Sequence, residues 1–305
     1  MESQPLVSVV MPYYNRPALM REAVASVMAQ TYPHWELVIA DDCSPAGAGA
    51  ADVLADMGSD KVQVVRHETN LGCAEGRNSA IRAARGRLIV PLDCDDRIAP
   101  TYIEATLKAM QERKTDGIYT QVQIFGEQDL VWVPEIDMIN MMCAISGPST
   151  FLYRREVFDT VGGYRADLRR HPDAGFWISA LSQGYKFDRL EEPLYFYRKH
   201  EGESLTSAGR CDEVPELARV HRQLYIDNLE TVLRRLEEKY WQSKDDYQSL
   251  DAGFKNVMGH YTQLQKNYDE LLENYRALEK SHYIRRLQNF VKSNLVGGAE
   301  TTPRV

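Results

Sequence analysis

From residue 6 to about 113 the chain alternates between short runs rich in β-branched apolar residues and stretches with helical spacing. LVSVVM leads into a helical pattern over 17–30, ELVIAD into a short helix, KVQVVR into 73–84, and RLIVPL into 100–113. Apolar runs without polar alternation predict strands covered on both faces, and strands alternating with helices predict a mostly parallel sheet between helical layers. In such sheets ligands bind outside the carboxyl ends of the strands, where side chains leave the ladder and converge on one crevice. Three of the four runs finish there in chemically capable residues: Tyr14-Asn15, Asp41-Asp42, and Asp93 through Asp96.

Residues 114–210 are less regular. Strand-like GIYTQVQIF, STFLYR and PLYFYR, a turn at Gly162-Gly163 and a helical stretch near 174–184 complete one α/β domain over 1–213. Beyond Pro215 a heptad runs from Leu229 to Leu278, with one seam of mainly leucines and a second of Leu233, Tyr240, Tyr247, Phe254, Tyr261, Tyr268 and Tyr275. A sustained 3.5-residue period predicts a helical coiled coil over 214–280, spanning roughly 75 Å if unbroken. Gly253 and Gly259 each weaken the helix by about 1 kcal/mol relative to Ala and mark a place for a break. Large aromatics facing leucine fit a homo-oligomer of three or more chains, or an antiparallel fold-back, better than a tight parallel dimer. In 281–305, SHYIRRLQNFVKSNL reads as an amphipathic basic helix followed by a polar tail. That helix fits either an anionic membrane surface or a dock on its own domain.

Composition narrows the partners. Hydrophobic residues make up 44% of the chain, enough for a substantial core, and the formal charge of −8 offers no overall basic field for nucleic acid. The five cysteines are scattered, with no CxxC pair, which argues against a disulfide framework or a structural zinc site and for a reducing compartment. The N-terminal stretch lacks the pattern of a secretory signal and no run of about 18 apolar residues occurs. The expectation is a cytoplasmic protein, with the basic helix as a route to the inner face of the membrane.

Seven segments stand in a particular order: SVVMPYYNR, WELVIADDCS, NLGCAEGRN, LDCDD, FDTVGGYR, a helix ending GYKF, and YRKH. In that order they resemble glycosyltransferase family 2, over about residues 5–205. The resemblance implies a GT-A fold, a Rossmann-like nucleotide-diphospho-sugar transferase domain. It also implies metal-dependent transfer of a hexosyl or N-acetylhexosaminyl group from a nucleotide sugar to a glycan or lipid-linked acceptor hydroxyl, with inversion. Bacterial surface polysaccharide or glycoconjugate synthesis is the family's habit.

A leaving nucleoside diphosphate develops negative charge, which a hard divalent cation held by carboxylates stabilises. In an extended segment Asp93 and Asp95 would share a face while Cys94 points away, the DxD arrangement. By resemblance Asp95 carries Mn2+ or Mg2+, with Asp93 beside the ribose and diphosphate or on the metal. His200 of YRKH coordinates the metal or touches the diphosphate, and imidazole suits manganese better than magnesium. Asp42 accepts a hydrogen bond from the nucleobase, which suits uracil and hence a UDP-sugar; Arg77 lies near the nucleotide; Pro12, Tyr13 and Tyr14 line the base pocket. The general base matches Asp173. Here the chain departs from the family, because Pro172-Asp173-Ala174-Gly175 stands where neighbouring acids are usual, and that puts the acceptor in doubt. Two other readings stay open: a sugar nucleotidyltransferase, although PYYNRP lacks that class's Gly-rich loop, and a catalytically idle sugar-nucleotide-binding scaffold built around the coiled coil.

Overall fold

The computed structural model describes residues 4–144, 147–168, 171–200, 217, 220–228, 231, 232 and 234. The chain divides into two units, Met1–Glu237 and Glu238–Val305, and every described residue falls in the first. The heptad seam over 214–280 lies outside the described residues apart from the few just named, as does the basic helix of 281–305.

Four parallel strands form one side of the sheet: β1 (Val7–Tyr13), β2 (Trp35–Asp41), β3 (Val62–Arg66) and β4 (Leu88–Pro91). Each lies within two residues of its expected bounds. The helices between them are α1 (Pro17–Met28), α2 (Ala50–Val53) and α3 (Cys73–Ala83). A two-residue strand, β5 (Arg97–Ile98), precedes α4 (Tyr102–Arg113). The second half adds β6 (Gly117–Gly126), β7 (Leu130–Trp132), α5 (Met138–Ala144), β8 (Leu152–Arg154), α6 (Arg155–Val161), α7 (Pro172–Ser182) and β9 (Phe187–Lys199). A short α8 (Arg222–Asp227) follows.

The strands order as β3-β2-β1-β4-β8-β6-β9-β5, with β7 beside β6. β1 through β4 pair in parallel, whereas β8 runs antiparallel to both β4 and β6, and β5 antiparallel to β9. The sheet is therefore mixed, with a second parallel pairing between β6 and β9.

Strand alternation divides the core. Val7, Val9, Met11 and Tyr13 face one cluster with Leu37, Ile39, Met20, Val24 and Ile103, whereas Val10, Val38 and Ala40 face another with Ile81, Phe151 and Trp177. In the second cluster the Trp177 and Phe151 rings stack at 3.8 Å between centroids, with Tyr153 and Phe187 edge-on to Trp177. Leu217 and Val232 are buried in the same cluster, so the segment past residue 214 begins by packing on the domain. α3 comes close to the sheet at Gly76, where a Cβ would lie 3.1 Å from the Pro12 Cβ, which gives the glycine of AEGRN a packing reason.

Candidate active site

The site collects where β1, β2, β4 and β9 end. Beyond β1 and β2 the chain turns sharply through left-handed residues, Asn15 (φ 46°) and Cys43 (φ 65°). Asn tolerates that region; a Cys there costs about 1–3 kcal/mol that the surroundings must offset. The Asn15 amide donates to Ser44 Oγ at 3.0 Å, and the Asp42 amide to the Tyr13 carbonyl at 2.8 Å, tying the two strand ends together.

Asp41 is wholly engaged in this turn. Its carboxylate accepts from the Ser44 and Ala50 amides, each at 2.9 Å, and from Arg66 Nη1 at 2.6 Å. Burial alone would raise its pKa, but those two amides and the guanidinium outweigh it and hold the group below the usual carboxylate range. Asp42, also buried, organises the loop ahead of α3. Its Oδ1 accepts from the Leu71 amide at 2.7 Å and lies 2.8 Å from His67 Nδ1, and its Oδ2 accepts from the Gly72 amide at 2.7 Å. His67 Nε2 in turn lies 2.9 Å from Ser79 Oγ on α3. Tyr13 is buried with its hydroxyl donating to the Ala48 carbonyl at 2.6 Å, Pro12 is buried against α3, and Tyr14 stands 48% exposed.

After β4 the expected extended DxD segment is instead a turn closed by the Asp96 amide on the Asp93 carbonyl at 3.1 Å. The turn reaches the same division by another route: Cys94 is buried, while the Asp93 and Asp95 side chains stay partly exposed. Asp93 Oδ1 accepts from Arg77 Nη2 at 2.5 Å. Asp95 Oδ2 meets Arg16 Nη1 at 2.8 Å and His200 Nε2 at 3.0 Å. Asp96 is buried and structural. It accepts from the Tyr195 hydroxyl at 2.5 Å and the Arg198 amide at 2.8 Å, and burial, with Asp95 and Asp93 nearby, pushes its pKa well up. Arg198 Nε also donates to the Asp95 carbonyl at 2.9 Å. These bonds clip the end of β9 to the acidic turn and so bring His200 to Asp95 across 105 residues of chain.

Arg77 is the buried cation of the site. Burial opposes its charge, but Asp93, Cys73 and Asp173 outweigh that, and its pKa is raised well above normal. Its Nε, also buried, has no hydrogen-bond partner. Asp173 is the second residue of α7 and not the cap, which is His171 in a left-handed conformation (φ 51°) with no side-chain cap bond. The missing acid at 175 has a steric reason, because a Cβ there would run into Leu168 Cδ1, with Leu217 Cδ2 and His221 Nε2 also close.

The model of Glycosyl transferase family 2 matches residues 8–169, more than half of the chain. The chain belongs to glycosyltransferase family 2. Among curated relatives, TuaG of Bacillus subtilis strain 168, a glycosyltransferase whose name assigns it to teichuronic acid biosynthesis, is 31% identical over 64% of this chain and 79% of its own. Among solved structures, S. aureus TarS 1-349 in complex with UDP-GlcNAc matches with a TM-score of 0.60 at 23% identity, covering 70% of this chain and 64% of that one. The mannosyltransferase PcManGT from Pyrobaculum calidifontis, in complex with GDP-Man and Mn2+, matches with a TM-score of 0.53 at 18% identity over 88% of this chain and 83% of that one. At those identities the structures establish the GT-A-like fold.

Within that family fold, Arg77 is bonded to Asp93 and His200 to Asp95 along one acidic turn, and Asp173 is near enough to act electrostatically on Arg77. Arg16, His67 and Arg198 are residues of the site that sequence reading missed, and Asp96 was read only as one of the polar residues at a strand end. Arg16 stood in the quoted SVVMPYYNR, but its partner Asp95 lies 79 residues away. No helix among the described residues is long and apolar enough to cross a membrane.

Proposed function

We propose that the chain transfers a sugar from a nucleoside-diphosphate donor, a UDP-sugar, to an acceptor hydroxyl with inversion at the anomeric carbon. The observation that carries this reading is Asp95 Oδ2, on a partly exposed side chain, 3.0 Å from His200 Nε2 and two residues along the same turn from Asp93, which is bonded to the buried Arg77. One carboxylate oxygen and one imidazole nitrogen are a donor set that suits manganese or magnesium when diphosphate oxygens and water complete the shell. No third protein ligand stands with them among the described residues, which fits a cation that arrives with its nucleotide. Asp95 and His200 would hold that cation, with Asp93 facing the ribose and diphosphate, and the cation would offset the charge developing on the leaving diphosphate.

The chain's own groups do the rest. Asp42 Oδ2 carries one hydrogen bond and so keeps a lone pair for the N3–H of uracil, with Pro12, Tyr13 and Tyr14 around the base. Arg77, charged and short of a partner at Nε, orients the diphosphate. Asp173 takes the proton of the acceptor hydroxyl as its oxygen bonds to the anomeric carbon, opposite the breaking bond to phosphate. A role in polysaccharide or glycoconjugate synthesis follows the name of TuaG, and a cytoplasmic location and self-association through the heptad region belong to the same proposal.

The test is a screen of nucleotide sugars for Mn2+-dependent thermal stabilisation, then donor hydrolysis and transfer with the hits. Asp173→Asn is expected to lower transfer by about 10²–10⁴-fold with donor affinity unchanged. Full transfer in that variant would remove Asp173 from the mechanism.

A further inference from the structure

Arg16 occupies an unusual place. It is the N-cap residue of α1, held out of the helical region (φ −131°, ψ 62°) immediately before Pro17, and its side chain makes no capping bond. The guanidinium reaches across to the acidic turn. Its Nη1 lies 2.8 Å from Asp95 Oδ2 and 3.4 Å from His200 Nε2, while those two atoms are 3.0 Å from each other. A single cationic nitrogen thus stands within reach of both atoms that the donor-site reading gives to the metal.

We propose that Arg16 is a built-in competitor for the divalent cation, a guanidinium that neutralises Asp95 while no metal is bound and must leave before one can enter. The proposal rests on the reading of Asp95 and His200 as the metal-binding pair. Three features of the chain support it. A metal bonded to Asp95 Oδ2 and His200 Nε2 would lie at about 2.0–2.2 Å from each, inside the volume that Arg16 Nη1 now contacts. Guanidinium carries no lone pair at neutral pH, so it cannot join the coordination shell and can only repel the ion. The pair is also built to open. The Arg16 side chain is 38% exposed and that of Asp95 23%, and an ion pair near water holds weakly. Arg77 makes the contrast, since its side chain is 4% exposed against 38% for Arg16. Arg16 and Arg77 therefore divide two tasks, with Arg77 a fixed cation and Arg16 an exchangeable one. The consequence is a threshold: the empty site takes up metal poorly, and cation and nucleotide diphosphate enter together because the diphosphate supplies the ligands that repay displacement of the arginine.

The experiment measures Mn2+ binding to the full chain, without and with UDP, by electron paramagnetic resonance of the free ion. The proteins are wild type, Arg16→Gln, Arg16→Lys and Asp95→Asn, with circular dichroism confirming that each folds. Arg16→Gln is expected to bind Mn2+ alone at least tenfold more tightly than wild type. Arg16→Lys, which keeps the charge, should stay within about threefold of wild type, and Asp95→Asn should bind poorly in all conditions. Equal or weaker Mn2+ affinity in Arg16→Gln, with binding still lost in Asp95→Asn, overturns the competitor role and leaves the metal site standing. Absence of Mn2+ binding in every protein, with UDP present, overturns both. If Arg16→Gln does not fold, Arg16→Lys binding Mn2+ tenfold more tightly than wild type contradicts the proposal, because charge would then not be what excludes the metal.

Discussion

Two pairs of aspartates stand at neighbouring strand ends, and the chain treats them differently. Asp41 and Asp42, at the end of β2, are almost fully buried, and each accepts from two backbone amides, those of Ser44 and Ala50 for Asp41 and of Leu71 and Gly72 for Asp42. Asp93 and Asp95, after β4, receive no such amides. Their side chains are about a quarter exposed, and their partners are side chains, Arg77 for Asp93 and Arg16 and His200 for Asp95. A carboxylate held by backbone amides fixes architecture, whereas one held by an exposed side-chain cation, as Asp95 is by Arg16, is open to exchange. In the proposed reading Asp42 of the β2 pair meets the nucleobase while Asp41 holds the turn, and the β4 pair meets the diphosphate and its cation.

The largest expected effect is on chemistry. Asp95→Asn should reduce donor hydrolysis and transfer by about 10²–10³-fold, the scale of removing one preorganised electrostatic contact, with little change in the melting temperature. A large loss of stability in that variant would erase the distinction between the pairs. Asp41→Asn should do the reverse. Urea unfolding is expected to show a loss of about 2–3 kcal/mol, because Arg66 and two loop amides keep a poorer acceptor. A smaller loss, about 1–2 kcal/mol, is expected for Gly175→Ala, in which Leu168 must move aside; the same unfolding measurement checks it.

A pH titration sharpens the contrast further. Asp41 and Glu36 both have pKa values lowered in the folded chain despite burial. Amides and Arg66 act on Asp41, and Ser8 and the Arg85 amide and side chain on Glu36. A depressed folded pKa contributes stability that is present above the unfolded carboxylate range, about 3.9–4.3, and lost as pH falls through the lower folded values. Stability should therefore decline on acidification below about pH 4, and less steeply in Asp41→Asn. An unchanged slope in that variant would show that Asp41 is not the buried charge described.

Much of this was legible in the sequence where strands are long and covered on both faces. β1, β2, β3 and β4 announce themselves as apolar runs, and their polar ends lie where side chains leave the sheet. β5, with two residues, and β7, with three, are too short to carry a period, and α5 and α6 are two turns each. β9 begins at Phe187, ahead of the apolar PLYFYR, because its first part is half-exposed and polar and pairs with β6 across a register shift. At the site, the acids were legible as types and positions, but not their saturation. That Asp96 is buried on Tyr195 and that Arg16 reaches Asp95 depend on contacts between residues far apart in the chain, whereas the turn over Asp93 to Asp96 is closed locally by its own backbone.

The central claim is that Asp95 binds a nucleoside diphosphate through a divalent cation. Calorimetric titration of UDP into the full chain, with and without Mn2+, in wild type and Asp95→Asn, tests it most directly. The account predicts that Mn2+ tightens UDP binding at least tenfold in wild type and not at all in Asp95→Asn. Equal UDP affinity in both proteins, with or without the metal, would contradict it.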